Sequence, residues 1–272
     1  MSRFCFRARA FEFCAGKPLL MGILNVTPDS FSDGGQFTAV SDAVAHAMAM
    51  IAQGASVIDI GGESTRPGHT PVSAEKERRR VIPAIEALRA QSAIPISVDT
   101  TKAEVAEAAL AAGADIINDV SCLADSQMPA VLKKYSAGAI VMHCAQLSPD
   151  DDAVSAVTTQ LNETITRACA ETGLSREYFM VDPGIGFGKS DPQIYALLRH
   201  LECLHDTGCA TLLGVSRKSF IGRLCGEKTP AARLGGSLAV ALACRNQCEI
   251  LRVHDVGMHR EALMVDNAIR LG

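Results

Sequence analysis

The chain has 272 residues, 48% of them apolar, which suffices for a large core and is close to the roughly 250 residues that eight βα units occupy. Lys and Arg total 26 against 30 Asp and Glu, a net charge of −4 that argues against nucleic acid or an anionic membrane as bulk partners. No apolar run approaches the ~20 residues of a spanning helix, and the ten cysteines form no CxxC pair, so reduced thiols in a cytoplasmic core fit better than a zinc site or disulfides.

At the N-terminus, Arg3, Arg7, Arg9 and Glu12 interleave with Phe4, Phe6, Phe11 and Phe13. A signal peptide needs an unbroken apolar middle, so this stretch predicts two short strands, a hairpin closing one end of a core. Met21 to Val26 then predicts a buried strand ending at Asn25. Pro28 fixes its own φ and pushes Thr27 out of helix space, which opens a long polar loop holding Phe31 and ending at Gly34-Gly35.

From there the chain repeats one phrase. Helical periodicity over Ala39–Gln53 leads to a strand at Val57–Ile60. A helix over Ala74–Ala90, opened by Ser73 with Glu77 in its first turn, leads to a strand at Ile96–Asp99. The pattern continues with a helix at Lys102–Ala112, a strand at Ile116–Asp119, a helix at Met128–Tyr135 and a strand at Ala139–His143. Next come a helix at Ala153–Glu171, a strand at Phe179–Asp182, a helix at Pro192–Leu204 and a strand at Thr211–Val215. The last elements are a helix at Ala231–Arg245, a strand at Ile250–His254 and a helix at His259–Ile269. The strands are short and unalternating, as parallel strands buried on both faces should be. Eight such units predict an α/β fold, a closed (β/α)8 TIM barrel with a short N-terminal β-hairpin. No composition break marks a second domain, so residues 1–272 are read as one.

The C-terminal ends of the strands carry Asn25, Asp59, Asp99, Asn118, His143, Asp182, the Ser216-Arg217-Lys218 run, and Arg252 with His254. One such residue would be read as a cap or a satisfied core group. Many converging on the rim where barrel enzymes place their sites predict a binding centre. Asp99, Asn118 and Asp182 suit a flat heterocycle bearing amino and imino donors, and Arg66, Lys218, Arg252 and His254 suit phosphate oxygens or a carbonyl. The Gly61–Pro71 loop, GGESTRPGHTP, can bring backbone N–H groups and Arg66 to an anion. Val181–Lys189, VDPGIGFGK, lacks the spacing of a dinucleotide fingerprint and reads as a rigid platform presenting Asp182 and Phe187. Cys144 follows His143 at a strand end, with no neighbour in sequence to activate it as a nucleophile or metal ligand.

LMGILNVTPDSFSDGG, VIDIGGESTRPG, ISVDTTKAEVA, ADIINDVS, VDPGIGFGK, GVSRKSFIG, GSLA and RVHDV, in that order, resemble dihydropteroate synthase of folate biosynthesis. The resemblance runs from Leu20 to about Ala262. It implies a (β/α)8 homodimer that joins 6-hydroxymethyl-7,8-dihydropterin diphosphate to 4-aminobenzoate, giving 7,8-dihydropteroate and diphosphate. It also implies that sulfonamides compete at the aminobenzoate pocket. Carried over residue by residue, it assigns the pterin edge to Asp99, Asn118 and Asp182, with Met142 as an apolar contact and Lys218 on the ring's carbonyl side. Arg252 stacks on the ring, and Arg252-Val253-His254 with Thr65 and Arg66 holds the diphosphate. Thr27, Phe31, Thr65, Pro67, Phe187, Lys218 and Ser219 surround the aminobenzoate. Asn25 is the implied Mg²⁺ ligand, with diphosphate and water completing the shell. The expected catalytic groups are Asp99, Lys218, Arg252 and His254. The sequence departs from the family at Met142-His143-Cys144-Ala145, where a second methionine and a glycine turn are usual. Two other readings stay open, a corrinoid-type pterin-binding methyltransferase domain and a catalytically silent pterin-binding barrel.

Overall fold

Unalternating strands are stable only when both faces are covered, and the computed structural model of the protein covers them. The structure describes residues 2–26, 36–63, 71–226 and 229–271. Strands β1 (Arg3–Phe6) and β2 (Arg9–Glu12) form an antiparallel hairpin. Strands β3 (Leu19–Asn25), β4 (Val57–Gly61), β5 (Ile96–Asp99), β6 (Ile116–Asp119), β7 (Gly138–Met142), β8 (Phe179–Asp182), β9 (Ala210–Leu213) and β10 (Ile250–Val253) run parallel. They close into a barrel with β10 beside β3. Around it lie α1 (Gln36–Ala52), α2 (Ala74–Arg89), α3 (Ala103–Ala111), α4 (Met128–Tyr135) and α5 (Ala153–Thr172). Helices α6 (Asp191–Arg199), α7 (Ser219–Cys225), α8 (Leu234–Cys244) and α9 (Val256–Leu271) complete the ring. No helix among the described residues is long and apolar enough to cross a membrane.

Alternation along each strand divides the core in two. Ile58, Ile60, Val98, Ile117, Val141, Val181, Leu213, Leu251 and Val253 pack outward against the helices. Met21, Val57, Ile116, Ile140, Met180, Leu212 and Ile250 point inward and fill the lower barrel together with Phe4, Phe6 and Phe13 of the hairpin arm. The arm is therefore a plug at the N-terminal end. A Cβ on Gly138 would stand 2.7 Å from the Phe4 ring, so only glycine lets the plug seat against β7. With the bottom closed, the cavity of the barrel opens only toward the C-terminal ends of the strands.

The expected elements form, with local differences. The segment expected as one helix over Pro192–Leu204 breaks at His200 (φ −123, ψ 35) and continues as a 3-10 helix over Leu201–Thr207. The segment expected over Ala231–Arg245 begins as a 3-10 turn, Ala231–Arg233, before α8. Helix α7 was not expected, because Gly222 in SFIGRLC hides the periodicity of so short an element. Ser73 does cap α2, accepting from Lys76 N at 3.3 Å. Glu77 is no surface charge of the first turn. It is buried and accepts from Lys102 Nζ at 2.6 Å.

Candidate active site

The alternation that sends Val57, Ile116 and Ile250 into the lower barrel sends Asp59, Asn118 and Arg252, two residues on, into the cavity above. Arg252 donates from Nε to Asp59 Oδ2 (2.6 Å) and from Nη2 to Asp99 Oδ2 (2.8 Å). Asn118 Nδ2 donates to the same Asp59 oxygen at 3.1 Å. Two carboxylates share one guanidinium, away from water. Burial pushes the Asp99 carboxyl up to about 7; Arg252 pulls it back and Asp59 repels further charge. Burial works against the charge on Arg252, but Asp59 and Asp99 outweigh it and raise its pKa. Asp59 Oδ1 and Asp99 Oδ1 are buried and have no partner among the described residues. Buried acceptors left in this way are matched to a ligand bearing N–H donors.

Asp182 enters from β8, with burial raising its pKa while the Gly184 N–H, Lys218 and Arg252 oppose the rise. Gly184 N donates to Asp182 Oδ1 at 2.7 Å. Glycine is required there: φ is +68°, and a Cβ would fall 1.8 Å from the His143 carbonyl oxygen. Lys189 then holds the 183–188 turn from inside. Its Nζ lies 2.9 Å from His143 Nδ1 and 2.9, 3.2 and 3.3 Å from the carbonyl oxygens of Phe187, Gly184 and His143. Burial lowers Lys189 to about 8. The result is the rigid platform read from the sequence, and Phe187 on it lies 4.3 Å from Lys218 Nζ, ring centroid to nitrogen.

His143 is a correction to the rim expected from the strand ends. It follows Met142, which is in phase with Ile140 and pairs in register with Asp182, so His143 falls on the opposite parity. It is buried against Lys189, and burial with that cation lowers it to about 4. Burial also pushes the Cys144 thiol up, and all ten cysteines are free. Val253 likewise turns its side chain into the helix-facing core, leaving only its main chain toward the rim.

The remaining rim residues come together. Ser216 Oγ lies 3.1 Å from His254 Nδ1 and accepts from His254 N at 3.3 Å. Arg217 adopts φ 60° and pairs with Asp255 through two contacts of 3.0 and 2.5 Å, while its own N donates to Ser237 Oγ at 2.9 Å. That hold sets the turn from which Lys218 projects and from which Ser219 starts α7 at the surface. Asn25 closes the ring: a Cβ on Gly61 would stand 3.6 Å from both Asn25 Oδ1 and Asp99 Cβ. Thr27, Phe31, Thr65, Arg66 and Pro67 lie outside the described residues. Among the described residues no group of three His, Cys, Asp or Glu could hold a metal, and the amide oxygen of Asn25 is a hard donor of the kind magnesium takes. Sequence reasoning placed Ser216 on the rim without a role and did not assign Lys189, Ser237 or Asp255. They serve the site through other side chains, which no local pattern records.

The model of the pterin binding enzyme family matches residues 21–254. The chain belongs to that family. Among its relatives, dihydropteroate synthase of Streptococcus pyogenes serotype M3 is 43% identical over 256 residues, covering 92% of this chain and 95% of that protein. The Escherichia coli K12 enzyme of the same name is 44% identical, covering 92% of this chain and 91% of its own. The structure of Xanthomonas albilineans dihydropteroate synthase with 4-aminobenzoic acid superposes with a TM-score of 0.88 at 46% identity, covering 94% of each chain. A Yersinia pestis dihydropteroate synthase with a sulfonamide drug gives 0.90 at 38%, covering 99% and 100%.

Proposed function

We infer that this chain catalyses the dihydropteroate synthase reaction of folate biosynthesis, condensing 6-hydroxymethyl-7,8-dihydropterin diphosphate with 4-aminobenzoate to give 7,8-dihydropteroate and diphosphate. The carrying observation is the partly buried Arg252 shared by the buried Asp59 and Asp99, with an unmatched oxygen on each acid. A dihydropterin has the flat face for the guanidinium and the N–H edge for Asp99, Asn118 and Asp182. Lys218 meets the ring's carbonyl side, and Met142 supplies apolar contact.

Breaking the C–O bond leaves its electron pair on diphosphate and positive charge on the pterin methylene. Buried acids around the electron-rich ring stabilise that cation, and Arg252, His254, Thr65, Arg66 and the Val253 main chain receive the departing anion. The neutral arylamine, held against Phe31, Pro67, Phe187, Thr27 and the Lys218-Ser219 turn, attacks the methylene and then loses a proton. No covalent intermediate with the chain is needed. Mg²⁺ would be held by Asn25 together with diphosphate oxygens and water, and when bound it supplies charge to the leaving group. Sulfonamides, which carry the same arylamine, compete for that pocket.

The chain works as one domain in a cytoplasmic homodimer. Met258, Val265 and Ile269 recur on α9 at helical spacing and stay exposed, which fits an isologous face. The decisive assay measures diphosphate release from the dihydropterin diphosphate in Mg²⁺, with and without 4-aminobenzoate. Release only with both substrates supports the reading, whereas saturable pterin binding without turnover refutes it in favour of a silent barrel.

A further inference from the structure

Asp59 lies at the bottom of the cavity, fully buried, and beyond its unmatched Oδ1 the reaction outlined above gives it no role. Its Oδ2 nevertheless takes two donors, Arg252 Nε at 2.6 Å and Asn118 Nδ2 at 3.1 Å. An oxygen receiving a guanidinium N–H can only accept, so the Asn118 amide must turn its NH₂ group down toward it. The Asn118 carbonyl oxygen is then the end of the amide left to a ring. An untethered amide could offer a ligand either end, because its donor and acceptor exchange on a half-turn. Tethering from below turns an ambiguous reader into an acceptor.

We propose that Asp59 is a specificity-determining positioning residue: by holding the Asn118 NH₂, it makes the site accept a 2-amino-4-oxo pterin ring and refuse its 2-oxo (lumazine) counterpart. This rests on the pterin reading above. A 2-oxo ring puts a carbonyl where the amino group was, and a fixed Asn118 carbonyl then meets another acceptor with no donor between them. Leaving buried polar groups facing one another unpaired is the strongest discrimination a small site can make. Asp59 also steadies Arg252, but that contribution falls on both rings alike, since each presents the same flat face. Affinity and selectivity therefore separate. Loosening Arg252 weakens both rings, and freeing Asn118 changes their ratio.

The test uses the full chain and measures, by calorimetry, dissociation constants for 6-hydroxymethylpterin and 6-hydroxymethyllumazine. In the unaltered protein the pterin is expected to bind on the order of 100-fold more tightly. Asp59→Ala should weaken both ligands and cut the ratio at least tenfold. Asp59→Asn keeps an acceptor oxygen in place for both donors and should hold the ratio within about threefold. Asn118→Ala should cut the ratio to the level of Asp59→Ala, and adding it to Asp59→Ala should change nothing further. Should Asp59→Ala not fold, Asp59→Asn and Asn118→Ala still decide. An unchanged ratio in Asn118→Ala, or a ratio lost in Asp59→Asn, overturns the proposal. So does equal weakening of both rings in Asp59→Ala. A protein that binds neither ring refutes the pterin reading itself, a result separate from binding with unaltered selectivity.

Discussion

Replacing Asp99 by Asn should abolish turnover and yet make the protein more stable at pH 8. The carboxyl sits at about 7 instead of its ordinary 3.8, held up first by burial and then by Asp59, against the pull of Arg252. Between those two pH values the folded chain keeps a proton that the unfolded chain has released, so native stability falls as pH rises from about 4 to about 7. About three pH units at roughly 1.4 kcal/mol each puts the cost of the ionised group above pH 7 at about 4 kcal/mol. Asn has nearly the shape of the protonated acid and never ionises, so it escapes that cost. Unfolding entropy of about 2.1 cal/mol/K per residue converts the gain to a rise in Tm of about 7 °C at pH 8. Urea unfolding of both proteins from pH 4 to pH 8 checks this: the variant should gain on the parent steadily from about pH 4 to about pH 7 and level off above that. Steady-state turnover should fall by about 100-fold or more, the acceptor that matches the developing cation having lost its charge, while inorganic diphosphate affinity falls far less, because Asp99 reaches the anion's partners only through Arg252. A variant less stable than the parent at pH 8, or a parent whose stability is flat from pH 5 to 8 relative to the variant, refutes the electrostatic account. Equal loss of turnover and diphosphate affinity refutes the assignment of Asp99 to the ring.

Gly184→Ala forces a Cβ to within 1.8 Å of the His143 carbonyl oxygen, so the turn must move and the 2.7 Å bond to Asp182 must break; pterin affinity measured by calorimetry should drop at least tenfold. Lys189→Met removes the cation that ties together the carbonyls of His143, Gly184 and Phe187, and the displaced Phe187 should raise the 4-aminobenzoate KM several-fold with the pterin KM nearly unchanged. Phe4→Ala opens a cavity in the plug, with an expected loss of about 3–5 kcal/mol by urea unfolding and no change in kcat, since the ring lies at the closed end of the barrel. Asn25→Ala should raise the Mg²⁺ concentration needed for half-maximal diphosphate release and leave binding of the diphosphate-free pterin unaltered.

The barrel was legible because parallel strands covered on both faces leave a crude signature. Runs such as ISVD and FMVD, separated by helical stretches, admit few other folds. The hairpin could be placed for a related reason, since Phe4 and Phe6 alternate with charges and need an apolar partner. What the sequence hid was punctuation. His200 interrupts a continuous helical periodicity by taking φ −123, and α7 is too short for its pattern to rise above its own glycine. Both depend on packing against neighbours far away in the chain, which local propensity does not contain.

The site was legible to the extent that alternation is simple. Counting in twos from Val57, Ile116, Met180 and Ile250 selects Asp59, Asn118, Asp182 and Arg252 for the cavity. Counting to the end of each run instead selects His143, one residue past Met142, and that residue ends buried against Lys189, away from the cavity. Parity is therefore the better reader of a barrel mouth than proximity to the strand end. Parity still cannot say how inward groups pair. Asp59 and Asp99 are equivalent in type and phase, yet one takes both Arg252 and Asn118 on a single oxygen while the other takes Arg252 alone. Their roles diverge through strand order and stagger around a closed sheet. On the proposed reading, that divergence gives the cavity one acid to orient its partners and a second, raised to about 7, to meet the ligand.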